Sequence, residues 1–360
     1  MTGIRHRLPA APSDVTAEWL TEALAARHPG AHVADVEVTE VHEATNTHAR
    51  LRVSYDAPTR LPSTMFAKML PLDPDRRVLI ARTGMGLLET RFYADLAGSV
   101  GLRVPEMHVA VHDDTNGSFV LLVEDLASTA CTVSDGTSGV APDSAARALE
   151  ELAELHVRFE DPAVRRRDAS WVPPAVHGST YGTNLLQYAL DHHRDRLSAD
   201  FAEISQLCIG RGDVLHELWQ WGPTTVIHGD PHIGNLFDDH GRTGFLDWGI
   251  VKVSTPMRDV GYFLCMALSV DDRRRHERDL LHHYLGARAA LGGHAIGFDD
   301  AWLAHRVQAA YTVLASCQIV TFPPGVSEGR RIFSEAFLAR SEAAIADLES
   351  RAALREVAGL

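Results

Sequence analysis

The segment Val226–Gly249 reads VIHGDPHIGNLFDDHGRTGFLDWG, and its order of residue types decides how the rest of the chain is read. Val226 and Ile227 are a short β-forming run that stops at His228-Gly229-Asp230-Pro231, a turn sequence. Leu236-Phe237 and Thr243 to Leu246 are two further apolar runs, and the polar Asp238-Asp239-His240-Gly241 between them suits a hairpin turn. Asp230, Asn235 and Asp247 therefore fall at strand ends or in turns, close together across a small hairpin. Three such side chains suit phosphoryl transfer. One carboxylate orients a nucleophilic hydroxyl, while an amide and a second carboxylate hold Mg²⁺ on nucleotide phosphates.

The spacing sharpens this reading. Protein kinases carry H-R-D-x-x-x-x-N followed by D-F-G. Here His228-Gly229-Asp230 precedes Asn235 with the same four intervening residues, and Asp247-Trp248-Gly249 stands where D-F-G would. The stretch resembles the H-G-D-x-x-x-x-N signature and D-x-x metal motif of the aminoglycoside phosphotransferase and choline kinase superfamily. That resemblance implies an α+β, two-lobed protein-kinase-like fold: a small β-rich N-terminal lobe over 1–126 that ends at a hinge, and a larger, mostly helical C-terminal lobe over 127–360. It further implies ATP and Mg²⁺ as cofactors, with Asp230 as the base and Asn235 and Asp247 as metal ligands. The expected reaction is transfer of the γ-phosphoryl group to the hydroxyl of a small molecule.

The upstream chain supplies the other expected parts. Residues 14–29 carry Trp19, Leu20, Ala23 and Leu24 at helical spacing. Val33 to Val41, Leu51 to Tyr55 and Thr64 to Leu70 then read as three successive antiparallel strands. Lys68 sits mid-strand among apolar residues, where a lysine is costly unless paired. In a kinase-like fold that strand lysine meets the nucleotide phosphates and is fixed by a helix glutamate. Glu89 opens such a helix, with Leu88, Phe92 and Leu96 on one face.

The link His42 to Thr47 is where the fold places its phosphate-covering loop. It keeps a Thr45-Asn46 pair but has no glycine, so the hydroxyls of Thr45 and Thr47 are its candidate phosphate donors. An ordinary hairpin turn reads the same residues equally well. Gly84-x-Gly86 lacks the third glycine and the preceding strand of a dinucleotide fingerprint and is read as a loop. Leu121 to Leu126 reads as the hinge strand. By the resemblance, the carbonyl of Glu124 and the amide of Leu126 would contact the nucleotide base, contacts that do not separate ATP from GTP. The hinge Glu124-Asp125-Leu126, the Phe92-Tyr93 pair and Asp259 to Leu264 are most similar to the ecdysteroid-kinase-like branch.

Downstream, Ser128 to Val140 reads as a linker, and a helix beginning at Pro142 carries His156 as a satisfied core histidine. Arg165-Arg166-Arg167 reads as a solvated loop and the mixed-charge run Asp271 to Glu277 as exposed. Asp259 is expected to support the backbone of the catalytic loop rather than take part in chemistry. Helical patterns over Tyr181 to Leu197, Phe201 to Trp221, Asp279 to Ala290, Trp302 to Val320 and Phe333 to Leu354 complete the second lobe.

Composition narrows the classes. For a 360-residue chain, 45% hydrophobic and 23% charged residues are ordinary values for a soluble globular enzyme. A formal net charge of -14 argues against nucleic acid, which needs clustered cations; it tilts mildly toward a cationic or neutral partner, though a solvated acidic surface is its commoner explanation. Four dispersed cysteines with no C-x-x-C pair suit a reducing cytoplasm. Arg5 and Arg7 precede no apolar stretch of a secretory signal, and Val307 to Phe322, interrupted by Gln308 and Gln318, suits a buried helix better than a membrane span.

Two rival classes fit these residues less well. A dinuclear metallophosphoesterase needs an aspartate and a histidine where Ile233 and Leu236 stand. A catalytically silent pseudokinase would lack the base or a metal ligand, yet Lys68, Glu89, Asp230, Asn235 and Asp247 are all present.

Overall fold

A computed structural model describes residues 8–360; Arg5 and Arg7 lie outside the described residues. The chain divides into two compact units. One holds the residues up to Val133 together with Leu246–Ile250, and the other holds Ser134–Phe245 with Val251–Leu360.

The first unit is built on a five-stranded antiparallel sheet of β1 (Val33–Glu43), β2 (Thr47–Tyr55), β3 (Thr64–Met69), β4 (Met107–Asp113) and β5 (Ser118–Glu124), in the order β1-β2-β3-β5-β4. Burial alternates along β2, as expected of a sheet with one covered face. Helix α1 (Ala17–Ala25), capped by the Thr16 hydroxyl, closes that face. Its Trp19, Leu20 and Leu24 join Leu51, Met65, Ala67 and Leu122 in one apolar core.

Helix α2 (Pro74–Thr83) starts on an Asp73 cap and ends at Gly84. There a left-handed residue (φ 70°) turns the chain straight into α3 (Met85–Arg91). The expected loop at Gly84-x-Gly86 is therefore only half correct: Gly84 is the junction, but Gly86 lies inside the helix. A Cβ at Gly86 would come within 2.0 Å of the Phe119 ring, so the missing side chain lets α3 lie against β5. A two-residue strand, β6 (Thr132–Val133), ends this part of the chain.

The second unit is mainly helical. It comprises α4 (Pro142–Arg158), α5 (Pro162–Asp168), α6 (Tyr181–His192), α7 (Ala199–Gly210), α8 (Gly212–Leu218), α9 (Pro256–Ala267), α10 (Val270–Ala290), α11 (Phe298–Ala309), α12 (Tyr311–Ala315), α13 (Glu328–Asp347) and α14 (Ser350–Ala358). Four short strands interrupt the helices: β7 (Thr225–Ile227), β8 (Leu236–Asp239), β9 (Arg242–Phe245) and β10 (Lys252–Ser254). The apolar faces of α6, α7, α9, α11 and α13 meet around Phe201, Trp219, Met266, Val313 and Phe337.

Several helices differ from the sequence reading. Arg165-Arg166-Arg167 belongs to the short helix α5, whose Asp161 cap accepts from the Ala163 amide. Asp271 to Glu277 is the first half of α10 and is not wholly exposed: Arg273 and Glu277 are 1% and 7% accessible and form an ion pair of 2.9 Å. Period alone cannot tell a charged helix face that meets another helix from one that meets water. The stretch read as one helix over Trp302 to Val320 is broken into α11, α12 and a 3-10 turn. The final helix is divided at Glu349, which adopts φ 48°. No helix among the described residues is long and apolar enough to cross a membrane, and all four cysteines are free.

Candidate active site

The two units each carry one set of the predicted residues. In the first, β3 holds Lys68 opposite His48 of β2 and Leu121 of β5. Its ammonium lies 2.6 Å from Glu89 Oε2 on α3 and 3.2 Å from Asp247 Oδ1. Burial by itself would lower the Lys68 pKa, but Asp247 and Glu89 outweigh it and hold the side chain above the ordinary lysine value. The lysine is thus a fixed cation across the physiological range. Its field and its burial work together on His48, which is pushed down to about 4, burial being the larger cause, and stays neutral. Glu89 is 3% accessible; burial raises its carboxyl while Lys68 and the Trp248 backbone draw it back toward the ionised form.

Asp247 adopts φ 58°, a left-handed conformation that costs a non-glycine residue energy and is kept only where the surroundings enforce it. The enforcement is visible next door: the indole of Trp248 stacks on Phe92 at 3.6 Å and 4°. Gly249 adds to it, with a would-be Cβ only 3.2 Å from Met85. The Asp247 side chain, gripped at one oxygen by Lys68, is still 44% accessible.

The turn that carries Thr45 and Thr47 and the end of β5 both lie in this unit. Thr47 is buried and its hydroxyl donates to Glu43, whereas Thr45 is exposed. Glu124, at the end of β5, is clamped by Arg103 in two parallel bonds of 3.0 Å. The Asp125 side chain accepts from the Ala127 amide and pairs with Arg50 at 2.9 Å, giving the turn that carries Leu126 a fixed shape.

In the second unit β7 ends at Ile227, and two residues on, Gly229, at φ 90°, turns the chain sharply into Asp230. Asp259, wholly buried on α9, receives the amides of His228 (2.7 Å) and Gly229 (2.8 Å) on its two oxygens. His156 lies 3.3 Å from the same carboxylate through Nε2 and 2.8 Å from the Tyr284 hydroxyl through Nδ1. It is the satisfied core histidine that the sequence suggested. Asp259 is the expected support of the loop. Burial would raise its carboxyl, but His156 and the loop amides overcome this and hold it below the ordinary value.

That lowered pKa has a sign. The carboxylate contributes stability fully above its unfolded value of roughly 3.9 and loses it as pH falls through the lower folded value. Asp259→Asn is expected to cost about 1.5–3 kcal/mol at pH 7, the worth of a hydrogen bond to a charged group. The deficit shrinks in acid, where the wild type loses the same interaction. Urea midpoints that match at pH 7 would exclude this role.

Asn235 ends the turn after Asp230 and donates through Nδ2 to the Asp230 carbonyl (3.0 Å) and to its Oδ2 (3.2 Å). This leaves Oδ1 as the amide atom suited to a cation. His232 caps the same turn, accepting from the Gly234 amide at 3.0 Å, and lies 3.6 Å from Asp230. The Tyr262 hydroxyl, carried by α9 and buried, is hydrogen bonded to Asp230; burial and that carboxylate raise its pKa well above the usual value. Tyr262 was missed in the sequence because a tyrosine in an apolar helix reads as core.

The hairpin β8–β9 pairs Leu236 with Phe245 and Asp239 with Arg242. His240 and Gly241 adopt φ 52° and 82°, the two-residue turn with both positions left-handed.

The Asn235 amide oxygen and the Asp247 carboxylate are each, taken alone, donor types that suit a hard cation. A carboxylate and an amide oxygen are what Mg²⁺ takes when phosphates supply the rest. Among the described residues no group of three or more His, Cys, Asp or Glu could hold a metal ion.

An α+β chain with a β-sheet N-terminal region, a helical C-terminal part and these two residue sets defines a kinase-like phosphotransferase. The comparison with families makes the assignment specific: residues 86–294, more than half of the 360-residue chain, match the model described as the phosphotransferase enzyme family. The chain belongs to that family, and is an enzyme that phosphorylates small molecules bearing hydroxyl groups. The ecdysteroid-kinase-like branch is not distinguished by this match.

Among solved structures, the chain is similar to the GDP complex of aminoglycoside 2'-phosphotransferase-IIIa, at 14% identity and a TM-score of 0.51, over 89% of this chain and 98% of that one. It is also similar to a choline/ethanolamine kinase family protein from Mesorhizobium loti, at 18% identity and a TM-score of 0.49, over 94% and 99% of the two chains. At such identities the first likeness speaks to fold alone. None of the curated proteins compared with the chain matches it.

Proposed function

We propose that this enzyme transfers the γ-phosphoryl group of ATP to a hydroxyl of a small acceptor. The observation that carries the reading is the Lys68–Glu89–Asp247 cluster, with ion-pair distances of 2.6 and 3.2 Å. Asp230 accepts the proton of the acceptor hydroxyl. Tyr262 and Asn235 orient its carboxylate, and Asp259 fixes the loop backbone beneath it. Lys68, held by Glu89, steadies the α- and β-phosphates. Asn235 and Asp247 would hold Mg²⁺, which supplies charge neutralisation on the phosphates when bound. The Glu124 carbonyl and the Leu126 amide receive the base, and Thr45 and Thr47 are assigned to the phosphate-covering turn. Because the engaged hydroxyl of Thr47 must first leave Glu43, Thr45 is the readier donor of the two.

The nucleotide-binding lobe is assigned to 1–126 and the catalytic and acceptor-binding lobe to 127–360, in a protein of the cytoplasm. The net charge of -14 favours an acceptor that carries an amine, as in aminoglycosides and amino alcohols, over an anionic one. The GDP complex of a structural neighbour keeps GTP beside ATP as a donor to be tested. The Lys68–Glu89 pair fits a silent nucleotide-binding pseudokinase equally well, so turnover is what separates the two readings.

The deciding experiment is nucleotide consumption, with ATP and with GTP, against a panel of amino sugars, amino alcohols, sterols and nucleosides. Turnover with one class, dependent on Mg²⁺, is the expected result. Tight nucleotide binding with no turnover across a widened panel would favour the pseudokinase.

A further inference from the structure

The chain has 34 lysines and arginines together, and only two are lysines, Lys68 and Lys252. Where the two cations are interchangeable, this chain uses arginine. A position that retains lysine is one where a compact, titratable ammonium does something a planar guanidinium cannot. Lys68 meets that description at the phosphate clamp. Lys252 has received no role.

Lys252 opens β10, directly opposite Ile227 of β7, and β7 is the strand that runs into His228-Gly229-Asp230. It is only partly buried, so a ligand can reach it. Unlike Lys68 and its two carboxylates, the Lys252 ammonium has no hydrogen-bond or ion-pair partner among the described residues. Its charged surroundings are mixed. Asp230 from the catalytic turn and Asp259 from α9 favour the cation, while Arg258 from α9 opposes it. His216 of α8 feels its charge in turn. Burial dominates and brings the amine down to about 8. A desolvated amine with no acid in contact is unfavourable in the resting protein, and such groups gather where a ligand supplies the missing counter-charge.

We propose that Lys252 is a second catalytic lysine, whose ammonium contacts the phosphoryl group as it passes to the hydroxyl held by Asp230. The inference rests on the phosphotransfer reading of Asp230. In that step the acceptor oxygen forms a bond to phosphorus, and the bond from phosphorus to the bridging oxygen of the leaving nucleoside diphosphate breaks, its electron pair staying with that leaving group. The acceptor proton goes to the Asp230 carboxylate. Charge spreads over the three equatorial oxygens of the group in transit, and the ammonium that would meet it is carried on the strand paired with the one that leads into Asp230. Asp230 and Lys252 then divide the work, one taking the proton and the other the charge.

With only two lysines, the test can be made without knowing the acceptor. An ATP derivative acylated on its γ-phosphate reacts with an amine beside that phosphate. The amide bond forms, the bond between the acyl carbon and the phosphate oxygen breaks, ATP leaves and the amine proton goes to solvent. Peptide mapping of the full-length protein then reads Lys68 and Lys252 separately. The expected result is acylation of Lys252 that excess MgATP suppresses roughly tenfold or more and that rises with pH to a half-maximum near 8, as the amine becomes neutral.

Lys252→Met supplies a second readout. It is expected to bind MgADP within about twofold of the wild type, yet to lose roughly tenfold or more of the tightening that aluminium fluoride, a phosphoryl mimic, confers at pH 7. If MgATP binds by calorimetry but Lys252 is left unlabelled, or is labelled regardless of MgATP, Lys252 has no such role and the phosphotransfer reading stands. If MgATP does not bind at all, both fall together.

Discussion

Asp230→Asn is expected to lower turnover by roughly 10²–10⁴-fold while leaving nucleotide affinity nearly unchanged, the usual worth of a positioned general base. The amide keeps the size of the side chain and can still accept from Asn235, so the turn His232–Asn235 keeps its shape. What it cannot do is take a proton. The Lys68 clamp lies in the other unit and is untouched, which is why binding and turnover should separate. A variant that matches the wild type in turnover would remove Asp230 from the mechanism. Tyr262 gives a useful contrast, because Tyr262→Phe removes one hydrogen bond to the base and not the base itself.

Asp247→Ala is the second large effect. It removes an assigned metal ligand and one of the two carboxylates that hold Lys68, leaving Glu89 as the sole partner in the ion pair. Calorimetric titration is expected to show Mg²⁺-dependent ATP binding abolished, with the weaker metal-independent binding less affected. The backbone argument sets a control. Asp247 sits at φ 58°, where glycine is at ease, so Asp247→Gly relieves the strain and still lacks the carboxylate. If both variants lose Mg²⁺-dependent binding, the carboxylate is responsible; an unchanged ATP titration in Asp247→Ala would contradict its assignment.

The parts of the site that lie close together in the chain were legible in the sequence. Asp230 and Asn235 share one turn, and the β8–β9 hairpin that follows is fixed by its own short turn. Lys68 and Glu89 were legible for a different reason: a lysine among apolar strand residues demands a partner, and the next helix offers one. The partners that were not legible are distant in sequence. His156 and Asp259 meet across 103 positions, and a histidine on an apolar helix face shows no sign of what it will touch. Tyr262 was hidden in the same way, since a buried aromatic residue and a buried aromatic residue with a working hydroxyl look alike on paper.

Gly86 failed for the opposite cause. Its low helix propensity suggests a loop, but the close approach of Phe119 outweighs that cost. Arg273 and Glu277 were read as solvated because charge is usually exposed, and it is pairing of Arg273 with Asp347 and of Glu277 with His305, beside their own ion pair, that permits their burial. In each case the missing information was a contact made by another part of the chain.

The five residues Leu246–Ile250 belong to the first unit, although the chain on both sides of them belongs to the second. The first unit is therefore not a cassette that can be cut out at its end and grafted elsewhere. A fragment stopping at Val133 would keep Lys68 and Glu89 but arrive without Asp247, and with Phe92 missing the indole that covers it. Exchanging only the front third of the chain with that of a relative would join each clamp to a foreign D-W-G segment, so the two have to be inherited as a matched set.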